Sequence, residues 1–262
     1  MADEEPPEGD VVRGERFSGG PARSFLSSLA DDERLYEADV NVDRAHVVML
    51  AERDIIPADD ASEILAALNV VESGAFDLLP DGEDIHEAIE TRVVDIAGEA
   101  GERMHTARSR NDEVAACIRY RLREDLLGLA TASVDLREAL ADAAEDHVGT
   151  LLPGYTHLQP AQPTTVAHWL LSYEGALSRD TERLLDAYER TNRSPLGAVA
   201  FAGTPFPIDR RLVADLLGFD GLVENSMDAA SGRDFLFESA AAAAGLALTL
   251  SGLAEDLVYQ AP

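Results

Sequence analysis

Lysine is absent from this chain of 262 residues; the basic side chains are arginines and histidines. With 21 arginines against 50 acidic residues and histidine neutral, the formal charge is −29. A surface this acidic excludes nucleic acid as a partner, because phosphate contacts need a basic patch. It also repels itself in dilute buffer, and the short Debye length of concentrated salt suppresses that repulsion. The composition therefore points to a salty cytoplasm and says nothing of a reaction. Cysteine is almost as scarce. Cys117 has no second thiol to pair with and offers no metal cluster. Next to Ile118 in a helical pattern, it reads as a small buried hydrophobe. Long apolar runs are missing too. The richest, Ser239 to Ala254, is alanine-heavy, shorter than the ~20 residues a membrane helix needs, and bracketed by Glu238 and Glu255. The acidic start Met1-Ala-Asp-Glu-Glu-Pro-Pro-Glu is no secretory signal. A cytoplasmic protein with no membrane partner is expected. No strand pattern of any length is found.

What remains is a series of helical patterns separated by polar stretches. Residues 1 to about 24 read as an extended arm. Ser27 and Ser28 precede an acidic helix start at Asp31-Asp32-Glu33, where serines serve as caps. Leu35, Val40, Val47 and Leu50 are loosely helical. Pro57 suits the first turn of the next helix, with Ile64, Leu65, Leu68 and Val71 on one face, ending near Gly74. Three long helices are expected over Glu113 to Asp146, Thr164 to Arg190 and about Ser231 to Gln260. Helices this long cannot bury themselves in a small globule, so an associating helix bundle is expected. The organisation reads as 1–112, an arm with a helical domain, and 113–262, a long-helix bundle domain.

Three stretches carry possible chemistry. In Gly154-Tyr-Thr-His-Leu-Gln-Pro-Ala-Gln-Pro163 the prolines prevent continuous helix, which sets His157, Thr156 and Gln159 on a stiff, irregular segment. His157 is a candidate acid/base; the alternative is a histidine that only braces its loop. Thr156 and Gln159 can donate to a substrate oxygen. In His105-Thr-Ala-Arg-Ser-Arg-Asn-Asp-Glu113, Ser109 or Asn111 can cap the following helix. Arg108 and Arg110 then stand at a positive helix end, where an anion between them would relieve repulsion; a solvated pair is the alternative. In Asp81-Gly-Glu-Asp-Ile-His86, acids favour a helix start, and His86 is either exposed or raised in pKa near a binding site. A further stretch, Asn225 to Asp234, is polar enough to line a cleft and is also a good helix cap.

The set DGEDIH (81–86), HTARSRNDEV (105–114), GYTHLQPAQP (154–163) and NSMDAASGRDF (225–235), in this order and spacing, resembles the argininosuccinate lyase family of the fumarase/aspartase superfamily. RFSGGP with FLSSL (16–29) adds to it. The resemblance implies an all-α, long-helix bundle of the fumarase/aspartase type with an N-terminal helical region. It implies elimination of fumarate from argininosuccinate, leaving arginine, with neither cofactor nor metal. Arg110, Ser109 and Asn111 would hold substrate carboxylates. Ser28 and Thr156 would bind substrate, with Asp84, His86 and Gln159 in the same site and His157 as an acid/base residue. It also implies a homotetramer with active sites shared between subunits. The family's later loop of pattern GSS-x-M-P-x-K-x-N is not in this sequence. The expectation is a chain whose C-terminal part is missing and which is inactive alone. Two alternatives stand beside this: another fumarate-releasing lyase of the superfamily (adenylosuccinate lyase, fumarase or aspartase), or a non-catalytic helical assembly protein.

Overall fold

The computed structural model describes residues 27–74, 76, 79–80 and 82–260. The opening arm, RFSGGP (16–21), Phe25, Leu26 and Asp81 lie outside the described residues. After a 3₁₀ turn, Leu29–Leu35, helix α1 (Tyr36–Glu52) is buried nearly all round. Val40, Val47 and Leu50 are buried, and so are Asp39, Asp43 and His46. The polar trio recurs at i, i+4 and i+7, so one stripe of this helix is both ionisable and interior. Helix α2 (Ala58–Gly74) follows Pro57 and buries Ile64, Leu68 and Val71, as its periodicity predicts. Helix α3 (Ile85–Ala97) has Asp84 as its cap. The Asp84 carboxylate accepts from the Glu87 backbone N–H at 2.8 Å, and Glu87 Oε2 accepts from the Glu83 N–H at 2.6 Å. This reciprocal arrangement satisfies donors that a helix start leaves open.

Helix α4 (Arg110–Asp146) has 37 residues and is ~55 Å long at 1.5 Å per residue. It is followed by strands β1 (Leu151–Thr156) and β2 (Gln159–Thr165) and helix α5 (Val166–Thr191). Two short helices, α6 (Arg210–Leu216) and α7 (Ser226–Ser231), precede α8 (Asp234–Gln260). The expected third long helix therefore starts later, after a separate turn capped by Asn225, which accepts from Met227 and Asp228 N–H groups at 3.0 and 3.2 Å.

The hairpin β1–β2 corrects the expectation that no strand is present. Its register pairs Thr156 with Gln159, Tyr155 with Pro160 and Leu152 with Thr164, with an irregularity between Pro153 and Tyr155. A Cβ on Gly154 would lie 2.5 Å from the Gln162 carbonyl oxygen, so the bulge admits only glycine. Both strands are edges, which is where proline is tolerated. Most residues of the ribbon are exposed on both faces, so no apolar alternation exists for a sequence pattern to reveal.

The chain divides into two compact units, each described by itself. Unit 1 runs to Arg121 and includes Asn192–Gly232; unit 2 comprises Leu122–Thr191 and the residues from Arg233 on. The division falls within α4 and returns a later segment to unit 1, so it does not follow a boundary at 112/113. Unit 1 is centred on Leu50, Ile64, Leu68, Ile85, Ile89 and Met104, joined by Leu196, Val213 and Phe219 of the returning segment. Each such side chain contributes about 1.5–3 kcal/mol by leaving water. Unit 2 packs Leu126 and Leu140 of α4 with Leu170, Leu177 and Leu184 of α5 and Ala242, Leu246 and Leu253 of α8. Thr249 of α8 donates to buried Asp180 of α5 at 2.6 Å. By length and composition α8 is able to cross a membrane, contrary to the expectation that no such run exists; here it packs along α5.

Candidate functional site

Unit 1 holds a buried ionisable network where α1, α3 and α4 meet. Ser109 caps α4: its Oγ accepts from the Asn111 N–H at 3.3 Å, and Asp112 Oδ1 accepts from the Ser109 N–H at 3.2 Å. The other oxygen of Asp112 accepts from the Gly197 and Val199 N–H groups, which ties the returning segment to this helix end. Asn111 Nδ2 donates to the Ala200 carbonyl at 3.1 Å.

Arg108 and Arg110 do not frame one shared anion. Arg108 is buried, with Nη1 2.5 Å from Asp43 and Nη2 2.9 Å from Glu113. Arg110 is a fifth exposed; it pairs with Asp84 and lies 3.6 Å from Glu90 and 3.5 Å from Glu113. The repulsion that an external anion would relieve is met by the chain's own carboxylates. Burial opposes the charge on both arginines, yet Glu113 with Asp43, or with Asp84, outweighs it and holds their pKa values above the ordinary range.

His86 is interior, which excludes the exposed reading. Its Nδ1 lies 2.8 Å from Asp39 Oδ1 and 4.0 Å from Glu113. Burial alone would depress the imidazole pKa; Asp39 overrides it and pushes the value up to about 9. Burial drives Asp43 well above, and Glu113 above, the usual carboxylate range. Cys117 donates to Asp39 at 3.2 Å, and burial with the Asp39 charge raises its thiol well above the ordinary value. It is buried as expected, though with a polar partner.

Ser28 sits beside the start of α3. Its N–H donates to the Glu83 carbonyl at 2.8 Å and its Oγ donates to Asp32 at 2.7 Å. Asp32 in turn accepts from the Ile85 N–H at 3.3 Å. Of the candidate residues, Ser28, Asp84, His86, Ser109, Arg110 and Asn111 thus belong to unit 1, and Arg110 joins two of the motifs through Asp84. Thr156, His157 and Gln159 belong to unit 2. Missed at the level of sequence were Asp39, Asp43, Glu90, His105 and Glu113. The four-residue spacing of Asp39 and Asp43 on a helix otherwise rich in valine was the available signal.

In unit 2, His157 and Leu158 are the two turn residues of the hairpin, at φ +52° and +57°. A two-residue turn of this kind matches the strand twist but needs the left-handed region twice, usually with glycine or asparagine. Two side chains held there are strained, and such strain clusters at functional sites. Residues 152–155 of strand β1, His157 and Leu158 line a cleft of about 810 Å³ together with Thr164, His168, Trp169 and Asp256; Thr156 and Gln159 are not part of its lining. Its wall is fastened by Asp256, which accepts from Trp169 Nε1 at 3.1 Å and from the Tyr173 hydroxyl at 2.6 Å. Burial and this bond push the Tyr173 pKa up to about 12.

Carboxylate oxygens of Asp39, Asp43 and Glu113 lie within 4.8 Å of one another, as do ligand atoms of Asp39, His86 and Cys117. Arg108 and His86 already stand against these groups. In unit 1, Arg110 keeps a fifth of its surface exposed at the α4 start beside Asp84, Glu90 and Glu113; the hairpin of unit 2 presents an imidazole to a cleft.

Comparison with known proteins gives consistent results. The profile of a family described as Lyase matches residues 22–261. The chain is 71% identical over 249 residues to the argininosuccinate lyase of Natronomonas pharaonis, covering 95% of this chain and 51% of that protein. It is 66% identical over 251 residues to that of Haloarcula marismortui, covering 96% and 50%. The chain thus spans about half the length of the curated relatives it matches. Among solved structures, EDDS lyase in complex with formate superposes with a TM-score of 0.80 at 35% identity, over 86% of this chain and 45% of that one. The fumarate lyase:delta crystallin of Brucella melitensis, bound to cobalt, gives 0.74 at 19% identity over 88% and 56%, a likeness of fold.

Proposed function

This chain belongs to the lyase family that matches it over residues 22–261, and from that membership we propose that it serves an argininosuccinate lyase, releasing fumarate from argininosuccinate and leaving arginine. The observation that carries this reading is the 71% identity to a protein of that name along 95% of the chain. In the elimination a proton leaves the carbon next to a carboxylate, and negative charge accumulates on that carboxylate. The C–N bond then breaks as the guanidino nitrogen takes up a proton.

Charge developing on a carboxylate is stabilised by donors that are already oriented. Arg110, with its guanidinium held at the start of α4, and the Asn111 amide fill that role. Ser109 contributes by capping the helix whose N-terminus faces the anion. His157 moves a proton at the strained hairpin tip, with Thr156 and Gln159 as flanking donors. Asp84 and Ser28 complete the polar wall at the α3 start. The partner is a small-molecule substrate. Leu171 and Leu185 of α5 and Phe237, Leu248 and Val258 of α8 are exposed, which supports association with further copies of the chain; the assembly we propose is a homotetramer with shared sites. The protein works in a salt-rich cytoplasm.

The test is a calorimetric comparison of ligands in molar KCl. Argininosuccinate is expected to bind, and adenylosuccinate, malate and aspartate to bind at least tenfold more weakly. Tighter binding of adenylosuccinate than of argininosuccinate overturns the assignment.

A further inference from the structure

Asp39 and His86 form an ion pair whose side chains are 0% and 3% exposed, with Nδ1 2.8 Å from Oδ1. Apolar side chains of similar size would join α1 to α3 at least as well, because desolvating two charges offsets most of their attraction. An ionised pair kept here points to a use for its charge. The pair shares two carboxylate neighbours, Asp84 and Glu113, with Arg110. His86 is in the first turn of α3, two residues after Asp84, the cap that pairs with Arg110.

The charged neighbours are arranged with one sense. Facing His86 are Asp39 from α1, Glu113 and Cys117 from α4, and Asp84 at the head of its own helix. Arg108 lies on the Glu113 oxygen that also approaches His86, while Glu90 is turned to His105 and Arg110. Arg110 therefore faces three carboxylates, Asp84, Glu90 and Glu113. Together they more than cancel one guanidinium, and a dicarboxylate would be repelled. An imidazolium between Asp84 and Glu113 restores the balance. Its counter-charge, Asp39, lies 2.8 Å from Nδ1 and close to Glu113 as well, so the imidazolium is held at the point where the carboxylates of Asp39, Glu113 and Asp84 converge.

We propose that Asp39 is a positioning residue for the carboxylate site at Arg110, acting through His86: it keeps an imidazolium in place beneath Asp84 and Glu113 so that Arg110 remains available to an anion. This rests on the reading of Arg110 as a carboxylate receptor. Asp39 itself touches no substrate. Its effect is on the affinity for the anion and on the pH at which that affinity fails.

The experiment measures fumarate binding by calorimetry in molar KCl from pH 6 to 10, alongside NMR titration of ¹³C-histidine in the same chain. Fumarate affinity is expected to be level through neutrality and to fall about tenfold as His86 loses its proton near pH 9. In Asp39→Asn, burial acts on the imidazole without its main counter-charge. Both the His86 titration and the fall in affinity are expected at or below the free imidazole value of ~6.5. Cys117→Ala, which removes the other contact to Asp39, is expected to leave the break where it was. A merely structural role for Asp39 predicts weaker binding at every pH with the break unmoved, and that result overturns the proposal. So does a wild-type affinity that passes through the His86 titration unchanged, a result that needs no variant to fold. If wild-type protein binds no fumarate at any pH while His86 still titrates, the carboxylate reading of Arg110 fails and this inference falls with it.

Discussion

Replacing Arg108 by methionine removes a buried cation and keeps much of its volume. Both carboxylates that it contacts, Asp43 at 2.5 Å and Glu113 at 2.9 Å, would then be interior with no guanidinium. Breaking a buried pair from one side costs about 3–5 kcal/mol, because the partner's desolvation is no longer offset. That is a fifth or more of the ~5–15 kcal/mol that holds a domain folded. The loss has a pH dependence with a definite sign. Burial already raises the pKa values of Asp43 and Glu113 above their unfolded values. The folded state therefore binds more protons than the unfolded one, and stability falls as pH rises above ~4, the unfolded carboxylate value. Without Arg108 both pKa values rise further. The gap between variant and wild type is expected to be near the packing loss alone at pH 4 and to widen steadily toward pH 8. Hydrogen exchange of α1 and α3 amides in molar KCl reports the opening of unit 1 directly. A gap below about 1 kcal/mol at pH 8, or one that stays constant from pH 4 to 8, refutes the view that Arg108 neutralises these carboxylates.

With a charge of −29 and no lysine, the chain is expected to lose helix in dilute buffer and regain it in molar KCl; equal circular dichroism at both salts removes the screening argument. His157→Asn is expected to leave the hairpin intact, since asparagine tolerates the left-handed region. In a catalytically active assembly containing this chain it should lower kcat by ~10²–10⁴-fold with a smaller change in KM. Near-normal kcat with an intact hairpin by NMR would make His157 a turn residue only.

The helices were legible in the sequence for different reasons. The face Ile64, Leu68 and Val71 is buried as its spacing says, because α2 has one wet side. Helix α1 gave only a loose pattern because it has almost none: Asp39, Asp43 and His46 are as interior as Val40 and Val47. No periodicity distinguishes an interior aspartate from a solvated one; its partners, Arg108 and His86, come from sequence positions far away. The hairpin was hidden for the opposite reason, since most of its residues face water on both sides and three of its paired residues are prolines. The candidate residues were legible as chemical types in dense polar stretches. What the sequence could not supply was that Arg108 is consumed internally while Arg110 keeps a fifth of its surface.

Trp169 is the only tryptophan in the chain, and its indole N–H is held by Asp256 of α8 at the rim of the unit 2 cleft. The emission of the whole protein therefore comes from a single place whose surroundings depend on the last turns of α8 lying against α5. Its colour and intensity form an optical gauge of that seating, free of any added label. Unseating α8 exposes the ring to water and shifts the emission to the red, while an occupant of the cleft changes the signal with α8 still in place. One fluorometer trace can thus follow docking of the final helix and filling of the cleft as separate events in the same sample.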